Sequence, residues 1–370
     1  MRLLITGSNG FVGKNLRARI MEQYKEWEVM CFDIDNTEEY LRESVAKADF
    51  IVHLAGVNRP KTEDEFITGN ADLTARICGY ALESGRNIPI LITSSIQSDL
   101  DNPYGRSKRS AEEKVFEYAE KSGTDCYIFK LPNLFGKWCR PNYNSAVATF
   151  CNNIANELPI QVNDPERVMT LLYIDDLVDI ILECVKGERQ GSKTDYCKAE
   201  KVYTEKLGRI AEMIKEFHDM REDYMLMPLT GLAKALYSTY LSYLPKDKFS
   251  YKPVCHKDQR GLFAELIKTE THGQVSISTT EPGITRGNHW HDTKTEKFIV
   301  VKGTASLKFR NIFTDEVIEY IVSGDDPEIV DIPTGYTHSI TNIGDDLLVT
   351  IIWANELLDR DRPDTFYREV

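Results

Sequence analysis

The pattern of apolar residues changes near residue 255, and this change divides the sequence into two parts. From Leu3 to about residue 185, short apolar runs alternate with helix-length amphipathic segments, beginning with LLIT, FVGKNLRARIMEQY and EVMCFD. Such alternation predicts a doubly wound parallel sheet with helices on both faces, the α/β class. Beyond residue 255 the runs are short, β-branched and separated by Gly, Pro, Asn and Asp. That pattern is typical of an all-β barrel or sandwich.

The length of the chain agrees with two domains. It has 370 residues, and a single hydrophobic core seldom grows beyond about 250–300 residues. Residues 200–245 have mostly helical periodicity, and the segment Pro245–Pro253, with its Lys, Asp and Ser residues, is the best linker candidate. We predict one domain of residues 1–245 and a second of residues 246–370.

Charge and cysteine content exclude several functions and suggest a compartment. The formal net charge is −13, from 45 basic and 58 acidic residues, and there is no basic run. This argues against a nucleic-acid partner and against an anionic membrane surface. The 8 cysteines include no CxxC pair. We therefore expect free thiols, which indicate a reducing compartment. No signal peptide and no apolar stretch of about 18 residues is visible, so we expect a cytoplasmic protein.

A glycine-rich turn follows the first apolar run. Gly7, Gly10 and Gly13 come directly after LLIT and open a helix-length segment. Glycines at this spacing let the backbone approach a pyrophosphate, although a plain strand-to-helix turn is the alternative interpretation. Asp33 stands 20 residues beyond Gly13, where a carboxylate binds the adenosine ribose and favours NADH over NADPH. His53, in the strand FIVHLAG, is interpreted as a core histidine rather than a catalyst.

A tyrosine and a lysine four residues apart, Tyr104 and Lys108, carry the candidate chemistry. Residues i and i+4 share a helix face, so the ammonium can lower the pKa of the phenol and hold the nicotinamide ribose. The phenol then acts as proton donor to a carbonyl. A hydroxyl at the end of the strand PILITS, from Ser94 or Ser95, would polarise the same carbonyl.

Residues 1 to about 245 resemble the extended short-chain dehydrogenase/reductase family of nucleotide-sugar epimerases, dehydratases and reductases. The shared motifs are GxxGxxG at 7–13, HLAG at 53–56, Asn70, Ser94-Ser95, YxxxK at 104–108, PNLFG at 132–136 and RVMTLLYIDDLV at 167–178. The resemblance implies a Rossmann fold, with Ser95 as the catalytic hydroxyl that also contacts substrate, Tyr104 as acid/base and Lys108 as its partner. It also implies that Asn133 and Arg167 lie on the sugar-nucleotide side. The implied cofactor-binding residues, besides the tyrosine and lysine, are Gly7, Ser8, Asn9, Gly10, Phe11, Val12, Gly13, Asp33, Leu54, Ala55, Gly56, Pro132 and Asn133.

Three histidines and a glutamate form a second pattern in the C-terminal part, at His289, His291, Glu296 and His338. Histidines at i and i+2 of a strand lie on one face, and a glutamate shortly after them can reach the same point. The third histidine would come from a neighbouring strand. Such a set suits Zn, Fe, Mn or Ni. The sequence therefore predicts a divalent metal site, with zinc as the first expectation.

The surroundings of this pattern resemble two related groups of proteins. Residues 283–303 and 333–342 are similar to the two motifs of the cupin barrels. DQRGLFAE at 258–265, followed by ITRGNHW at 284–290, resembles the deoxysugar 3,5-epimerases, in which the matching histidine is the base. His289 therefore has two interpretations, metal ligand and base, and the intact ligand set favours the ligand.

Three cationic residues of the C-terminal part are candidates for substrate binding. Arg260 and Arg286 belong to the epimerase-like segments, and their guanidinium groups would hold nucleotide phosphates bidentately. Lys297, next to Glu296, could stabilise an enolate. A solvated strand lysine is the alternative interpretation of Lys297.

The two parts together resemble bifunctional capsular-polysaccharide enzymes in which such a reductase is fused to a cupin. Matching segments, among them FIVHLAGVNRP, PNLFGKWCRPNYNS, LYSTYLSYLP and PGITRGNHWH, extend over the whole chain. The resemblance implies that the cupin epimerises C3 of a UDP-2-acetamido-2,6-dideoxy-4-ketohexose. The reductase then reduces C4 with NADPH, or NADH as the alternative. The product is UDP-2-acetamido-2,6-dideoxy-L-talose, a precursor of UDP-N-acetyl-L-fucosamine, and a homodimer is the family expectation.

Two other functions stay open at this point. The chain could be an NAD-dependent sugar-nucleotide 4-epimerase or dehydratase with a structural cupin, or a non-catalytic sugar-nucleotide sensor. Net cofactor consumption separates the three, because a reductase oxidises NAD(P)H stoichiometrically. A 4-epimerase recycles tightly held NAD, and a sensor does neither.

Overall fold

The computed structural model describes residues 1–60, 62–223, 225–226, 229–252, 255–258, 261–264, 268–269, 274–356 and 361–370. By their contacts these residues fall into two compact units. The first unit consists of Met1–Trp138 and Met169–Thr204, and the second of Cys139–Val168 and Glu205–Val370. The domains predicted from sequence, residues 1–245 and 246–370, are defined by motifs and composition rather than by contacts. They stay a prediction.

Strands and helices alternate in the first 206 residues. In chain order they are β1 (Arg2–Thr6), α1 (Phe11–Gln23), β2 (Glu28–Phe32), α2 (Glu38–Lys47), β3 (Phe50–His53), α3 (Asp64–Phe66), α4 (Leu73–Glu83), β4 (Ile90–Ser95), α5 (Pro103–Ser122), β5 (Tyr127–Leu131), β6 (Asn133–Phe135), α6 (Ala146–Ala155), β7 (Val168–Tyr173), α7 (Ile174–Val185) and β8 (Tyr203–Lys206). A π-helix, Ile67–Asp72, joins α3 to α4. The alternation confirms the α/β class predicted for the first part.

The first unit is built on a five-stranded parallel sheet in the order β2-β1-β3-β4-β5. Its central strands are almost wholly buried, as a sheet covered by helices on both faces requires. The strand order changes direction between β1 and β3. Ligands of such sheets bind at the carboxyl edge beside this point. Strands β6, β7 and β8 form a separate three-stranded sheet.

Strands dominate after residue 250. From residue 207 the elements are α8 (Leu207–Asp223), β9 (Met225–Leu226), α9 (Gly231–Leu241), β10 (Ser250–Tyr251), β11 (Cys255–Asp258), β12 (Gly261–Ala264), β13 (Lys268–Thr269), β14 (Gln274–Thr280), β15 (Thr285–Trp290), β16 (Glu296–Lys302), β17 (Thr304–Asn311), β18 (Val317–Ser323), β19 (Ile329–Ile332), β20 (Tyr336–Asn342), β21 (Leu348–Ala354) and β22 (Phe366–Tyr367). Two five-stranded sheets contain most of these strands, in the orders β10-β19-β16-β21-β14 and β18-β17-β20-β15-β22.

The two five-stranded sheets share one hydrophobic core. Their paired strands run antiparallel. Phe298 and Val330 of one sheet belong to the same buried cluster as Leu307, Phe309 and Ile340 of the other. This packing of two inner faces confirms the predicted all-β character of the C-terminal part. Its assignment to the cupin barrels stays a prediction.

Helices α6, α8 and α9 pack on one another within the second unit. Arg221 of α8 forms an ion pair with Asp331 of β19. Within the segment predicted as a linker, Lys246–Lys248 form a 3₁₀ helix and Ser250–Tyr251 form β10, which pairs with β19, and the Phe249 side chain between them is buried. None of the helices in the described ranges is long and apolar enough to cross a membrane.

Candidate active site and candidate metal centre

The glycine-rich turn brings the carboxyl ends of β1 and β3 into contact. Gly7 has a φ of +66°, and a Cβ there would lie 2.7 Å from the backbone nitrogen of Ala55. A Cβ on Gly13 would lie 2.4 Å from the carbonyl oxygen of Gly7. Neither position accepts a side chain, so the backbone at the start of α1 stays accessible. Its first N–H groups have no partner within the helix, the arrangement that binds a pyrophosphate.

An acidic and a basic side chain flank this turn. The Asp33 carboxylate accepts the N–H of Asn9 at 2.7 Å. Arg17, in the second turn of α1, donates to the side-chain oxygen of Asn9 at 2.8 Å. Asp33 can bind the hydroxyls of an adenosine ribose, and a guanidinium can bind a 2′-phosphate. Arg17 gave no motif signal in the sequence, because it lies beyond the glycines among ordinary helix residues.

Small residues also make room beside Lys108 at the end of β3. A Cβ on Gly56 would lie 2.8 Å from Oδ1 of Asn70 and 3.3 Å from Nζ of Lys108. Asn70 sits in the π-helix, where its amide bonds both backbone groups of Val57 and the hydroxyl of Ser107. Gly56, which has no side chain, and the fixed amide of Asn70 therefore shape the surroundings of Lys108. These residues fit a nicotinamide nucleotide.

The catalytic candidates meet at the start of α5. Asn102 caps this helix by accepting a first-turn N–H at 2.7 Å, and Pro103 occupies the first helical position. Tyr104 therefore lies in the first turn, where it is hydrogen-bonded with Ser95. Burial raises the pKa of Tyr104, and the Ser95 hydrogen bond only partly offsets this rise. The spacing predicted a lowered pKa through Lys108, but burial outweighs the polar contacts of this phenol.

The structure separates the two serine candidates. Ser94 is buried and donates its hydroxyl to the carboxylate of Glu112, which also accepts the hydroxyl of Tyr196 at 2.9 Å. Ser95 is half-buried, accepts the N–H of Gln97 at 3.1 Å and bonds Tyr104. A hydroxyl engaged with a buried carboxylate is held away from a substrate carbonyl. Ser95 is therefore the hydroxyl that stands with the tyrosine.

Lys108 is held inside the first unit by the backbone of β4. Its side chain is buried, and its Nζ donates to the carbonyl oxygen of Thr93 at 3.2 Å. Burial lowers the pKa of Lys108 to about 8, and the carboxylate of Glu112, one helical turn further on, acts in the opposite direction. The buried carboxylate gave no signal in the sequence beyond its place on the helix.

The residues expected on the sugar side are less enclosed. Asn133 begins β6, is exposed, and donates to the carbonyl oxygen of Thr170 at 3.1 Å. Pro132 is half-buried just before it. Arg167 is exposed in the segment before β7 and belongs by its contacts to the second unit. The sugar-binding roles of Asn133 and Arg167 stay predictions.

The predicted metal ligands come together in the second unit. His289, His291, Glu296 and His338 offer ligand atoms that all lie within 4.8 Å of one another. The ring centroids of the three histidines are 4.5, 5.0 and 5.4 Å apart. A β-bulge shifts the register of β15 between Gly287 and the first histidine. Such bulges re-aim side chains next to functional sites.

The hydrogen-bond pattern of the cluster fits a bound cation. Nδ1 of His291 is 2.5 Å from the carbonyl oxygen of Asp364, and its Nε2 is 3.1 Å from Oε2 of Glu296. Both neighbours are acceptors, whereas a neutral imidazole has one N–H. His338 is buried with both ring nitrogens lacking a hydrogen-bond partner among the described residues. A divalent metal would satisfy these nitrogens and the carboxylate together.

The ionisation of the cluster also suits a metal. Burial and the neighbouring histidines lower the pKa of His289 to about 3, and burial lowers the pKa of His338. Burial acts to raise the pKa of Glu296, but its contacts with His291 and His338 outweigh that effect and hold it well below 4.5. Neutral imidazoles and an ionised carboxylate are the forms that bind metals.

The cationic candidates do not join this cluster. Lys297 follows Glu296 in β16, so its side chain lies on the opposite face of the strand. There it is buried and donates to Asp331 at 2.5 Å and to the Tyr251 hydroxyl at 2.9 Å. The structure therefore gives Lys297 a structural ion pair instead of either role considered from sequence. Arg286 is exposed on β15, and Arg260 lies outside the described residues.

Comparison with known proteins agrees with both parts. The pattern of the NAD dependent epimerase/dehydratase family matches residues 3–196. The pattern of the polysaccharide biosynthesis C-terminal domain matches residues 256–366. The chain is 48% identical over 367 residues to the UDP-2-acetamido-2,6-beta-L-arabino-hexul-4-ose reductase of Pseudomonas aeruginosa, covering 99% of this chain and 98% of that protein.

Solved structures give the same result. The capsular polysaccharide assembling protein CapF from Staphylococcus aureus superposes with a TM-score of 0.69 and 47% identity, over 100% of both chains. A UDP-glucuronic acid 4-epimerase from Bacillus cereus, solved with UDP-glucuronic acid and NAD, has a TM-score of 0.53 and 16% identity, over 59% of this chain and 83% of that one. The epimerase shares the fold alone. This chain belongs to the NAD dependent epimerase/dehydratase family.

Proposed function

We propose that this chain is a bifunctional nucleotide-sugar enzyme of polysaccharide biosynthesis. In this proposal the C-terminal cluster epimerises C3 of a UDP-2-acetamido-2,6-dideoxy-4-ketohexose, and the first unit reduces C4 to give UDP-2-acetamido-2,6-dideoxy-L-talose. One observation carries it: the same chain holds a hydroxyl–phenol–ammonium site and a His₃Glu cluster. The 48% identity, over almost the full length of both chains, to a reductase named for a UDP-2-acetamido-2,6-hexul-4-ose supports the substrate class.

The reduction follows from the groups at the start of α5. NAD(P)H, when bound, supplies the hydride, and a bound divalent metal in the other unit supplies Lewis-acid stabilisation of an enolate. Ser95 donates a hydrogen bond that polarises the C4 carbonyl, and Tyr104 gives its phenolic proton to the C4 oxygen as the carbon becomes a secondary alcohol. Lys108, charged below its pKa of about 8, holds the ribose of the nicotinamide and orients the phenol.

The epimerisation depends on the same ketone. A C4 carbonyl acidifies the C3–H bond, so a base can remove that proton and return it to the other face of the enolate. His289, His291, Glu296 and His338 would hold the metal, with zinc as the expected ion. His289 is less buried than the other two histidines of the cluster, which keeps it the alternative candidate for the base.

The cofactor is proposed to be NADPH, with NADH as the second choice. Asp33 favours the ribose hydroxyls of NADH. Arg17 flanks the same glycine-rich turn as Asp33 and offers a cation to the 2′-phosphate of NADPH. We also propose a homodimer, which sedimentation velocity measures directly.

The decisive experiment supplies a UDP-4-keto-6-deoxy-HexNAc and either NADPH or NADH in deuterated water. We expect stoichiometric oxidation of the cofactor together with deuterium at C3 of the product. Turnover without net cofactor oxidation would identify a 4-epimerase or dehydratase instead. Binding without turnover would identify a sensor.

Replacing Tyr104 with Phe separates the two activities. The variant loses the proton donor, so the reduction rate should fall by about 10²–10⁴-fold, the usual contribution of general acid catalysis. Deuterium exchange at C3 should continue, because the His₃Glu cluster is untouched. Loss of both activities would overturn the division of labour between the two parts.

A further inference from the structure

The C-terminal segment Asp361–Val370 contacts both histidine-bearing strands of the second unit. Its short strand β22 pairs with β15 at His289 and Trp290. The N–H of Arg368 donates to the carbonyl oxygen of Asn288 at 2.7 Å. On the other strand, the hydroxyl of Thr337, next to the third histidine, donates to the Arg368 carbonyl. This segment therefore packs along the same strands that present the cluster.

Asp364 makes the densest set of contacts in this segment. One carboxylate oxygen accepts the N–H of Asp292 at 2.8 Å. The other accepts the N–H and hydroxyl of Thr293 at 2.8 and 2.9 Å and the N–H of Lys294 at 2.5 Å. Three successive backbone N–H groups thus converge on one carboxylate, an arrangement of strong charge-assisted hydrogen bonds.

The loop that Asp364 binds is the connection between two metal-ligand candidates. It runs from His291 to Glu296. The backbone carbonyl of Asp364 is also 2.5 Å from Nδ1 of His291. A carbonyl can only accept, so this contact puts the imidazole hydrogen on Nδ1 and directs the Nε2 lone pair toward Glu296. Side chain and backbone of one residue thereby fix both the loop and the ring.

We propose that Asp364 is a positioning residue of the metal centre, holding the loop from His291 to Glu296 with its carboxylate and the His291 ring with its carbonyl. This inference rests on the proposed metal-binding role of the cluster. Groups that orient metal ligands in this way typically change metal affinity by about 10–100-fold when they are removed. The sequence gives no hint of it, because a single aspartate more than 70 residues from the loop forms no motif.

The test uses the full-length protein, stripped of metal with a chelator and titrated with Zn²⁺ against a chromophoric competitor. We compare the wild type with Asp364→Ala, Asp364→Asn and the control Glu369→Gln. Glu369 lies on the same segment, and its carboxylate accepts the hydroxyl of the exposed Tyr367 at 3.0 Å. Asp364→Ala should bind Zn²⁺ about 10–100-fold more weakly than the wild type. Glu369→Gln should match the wild type.

Asp364→Asn keeps the size of the side chain and one acceptor oxygen, so its affinity should lie between those of wild type and Asp364→Ala. It also serves if the alanine variant fails to fold. The visible spectrum of the Co²⁺-loaded protein should shift in the Asp364 variants, because the ligand geometry relaxes. Wild-type affinity and an unchanged Co²⁺ spectrum in both variants would overturn the inference while the metal site stands. Equal weakening in Glu369→Gln would also overturn it, and a wild type that binds no Zn²⁺ would overturn the proposed metal function itself.

Discussion

His53 in the first unit and His338 in the second are both buried, at 1% and 0% exposure, yet their rings have opposite surroundings. The ring nitrogens of His53 are 2.6 Å from the Thr6 hydroxyl and 2.9 Å from the Thr74 hydroxyl. Neither ring nitrogen of His338 has a hydrogen-bond partner among the described residues. Since buried polar groups are nearly always paired, the first ring is complete within the fold and the second fits a ring that binds a ligand.

The charged groups of the two candidate sites show the same contrast. In the first unit Lys108 donates to a backbone carbonyl, and Ser94 and Tyr196 donate to Glu112. In the second unit the imidazoles face one another and a carboxylate. The protein therefore organises its reductase groups through its own hydrogen bonds. The His₃Glu cluster gathers acceptors, the donor set that a cation would satisfy.

The largest expected effect is on zinc binding by His338→Leu. This substitution removes one of four ligands, so the affinity for Zn²⁺ should fall beyond the about 10–100-fold typical of a supporting residue. The matched control is His53→Leu, which removes an equally buried ring from the first unit and should leave the affinity unchanged. Competition titration of the metal-stripped proteins measures both. Wild-type affinity in His338→Leu would end the comparison, since that ring would then need another explanation.

The same two substitutions should have opposite effects on the stability of the metal-free protein. His338 packs against the rings of Phe298 and Phe309, so a leucine there keeps apolar contacts. It removes two ring nitrogens that make no hydrogen bond, of which Nε2 lies 3.6 Å from Oε2 of Glu296. An unpaired buried polar group costs about 1–3 kcal/mol, and the metal-free His338→Leu protein should be at least as stable as the wild type. His53→Leu should instead lose about 1–3 kcal/mol, because the hydroxyls of Thr6 and Thr74 each lose one hydrogen bond and keep their other backbone partner.

Urea unfolding in the presence of a chelator, followed by circular dichroism, measures these differences. With saturating Zn²⁺ the order should change, because the wild type gains binding energy that His338→Leu lacks. Destabilisation of both metal-free variants by the same amount would mean that the two buried rings are equivalent after all. If His338→Leu were more stable than the wild type both with chelator and with saturating Zn²⁺, the cluster would bind no ion.

The overall architecture could be predicted because strand and helix periods are local. The parallel sheet and the antiparallel sheets both follow from apolar runs of the right length and period. Boundaries are harder to predict: the helix that carries Tyr104 and Lys108 begins at Pro103, because Asn102 caps it and Pro103 occupies its first position. Part of the predicted linker forms β10, next to the buried side chain of Phe249. Tertiary packing determines the conformation of that segment, and sequence periodicity contains no information about such packing.

The candidate sites divide in the same way. The HxH spacing and the later glutamate and histidine were enough to predict which four side chains come together. The side-chain alternation of a strand would have separated Lys297 from Glu296, but proximity in sequence suggested a shared site. The sequence does not point to Asp364, because it contacts residues far away in the chain. It does not point to Glu112 either, because this residue is an ordinary helical glutamate in the sequence. Such residues are found only when the fold is known.

The smallest expected effect concerns Glu112, and it tests whether the first unit really completes its own site. The carboxylate raises the pKa of Lys108, which burial lowers to about 8. Glu112→Gln keeps an acceptor for Ser94 and Tyr196 but removes the negative charge, so Lys108 should lose its proton at a lower pH. The alkaline limb of the pH profile of kcat/KM for reduction should move to lower pH. For a shift of one pKa unit the rate at pH 8 should fall by about 5-fold, and near pH 6 it should be almost unchanged.

The other charges near Glu112 make a control necessary. Lys130 of β5 lies 4.0 Å from the carboxylate of Glu112 and is itself bonded to Asp99 at 2.5 Å. Its charge stays beside the side chain at position 112 when the glutamate is replaced. Glu117→Gln removes an exposed carboxylate from the same helix, one that pairs with Lys114 at 3.0 Å, and its pH profile should match the wild type. If the Glu112→Gln profile also matched it, the charge of Lys108 would depend on burial and its carbonyl contact alone. The first site would then resemble the second, with its charges balanced by the bound ligand rather than by the chain.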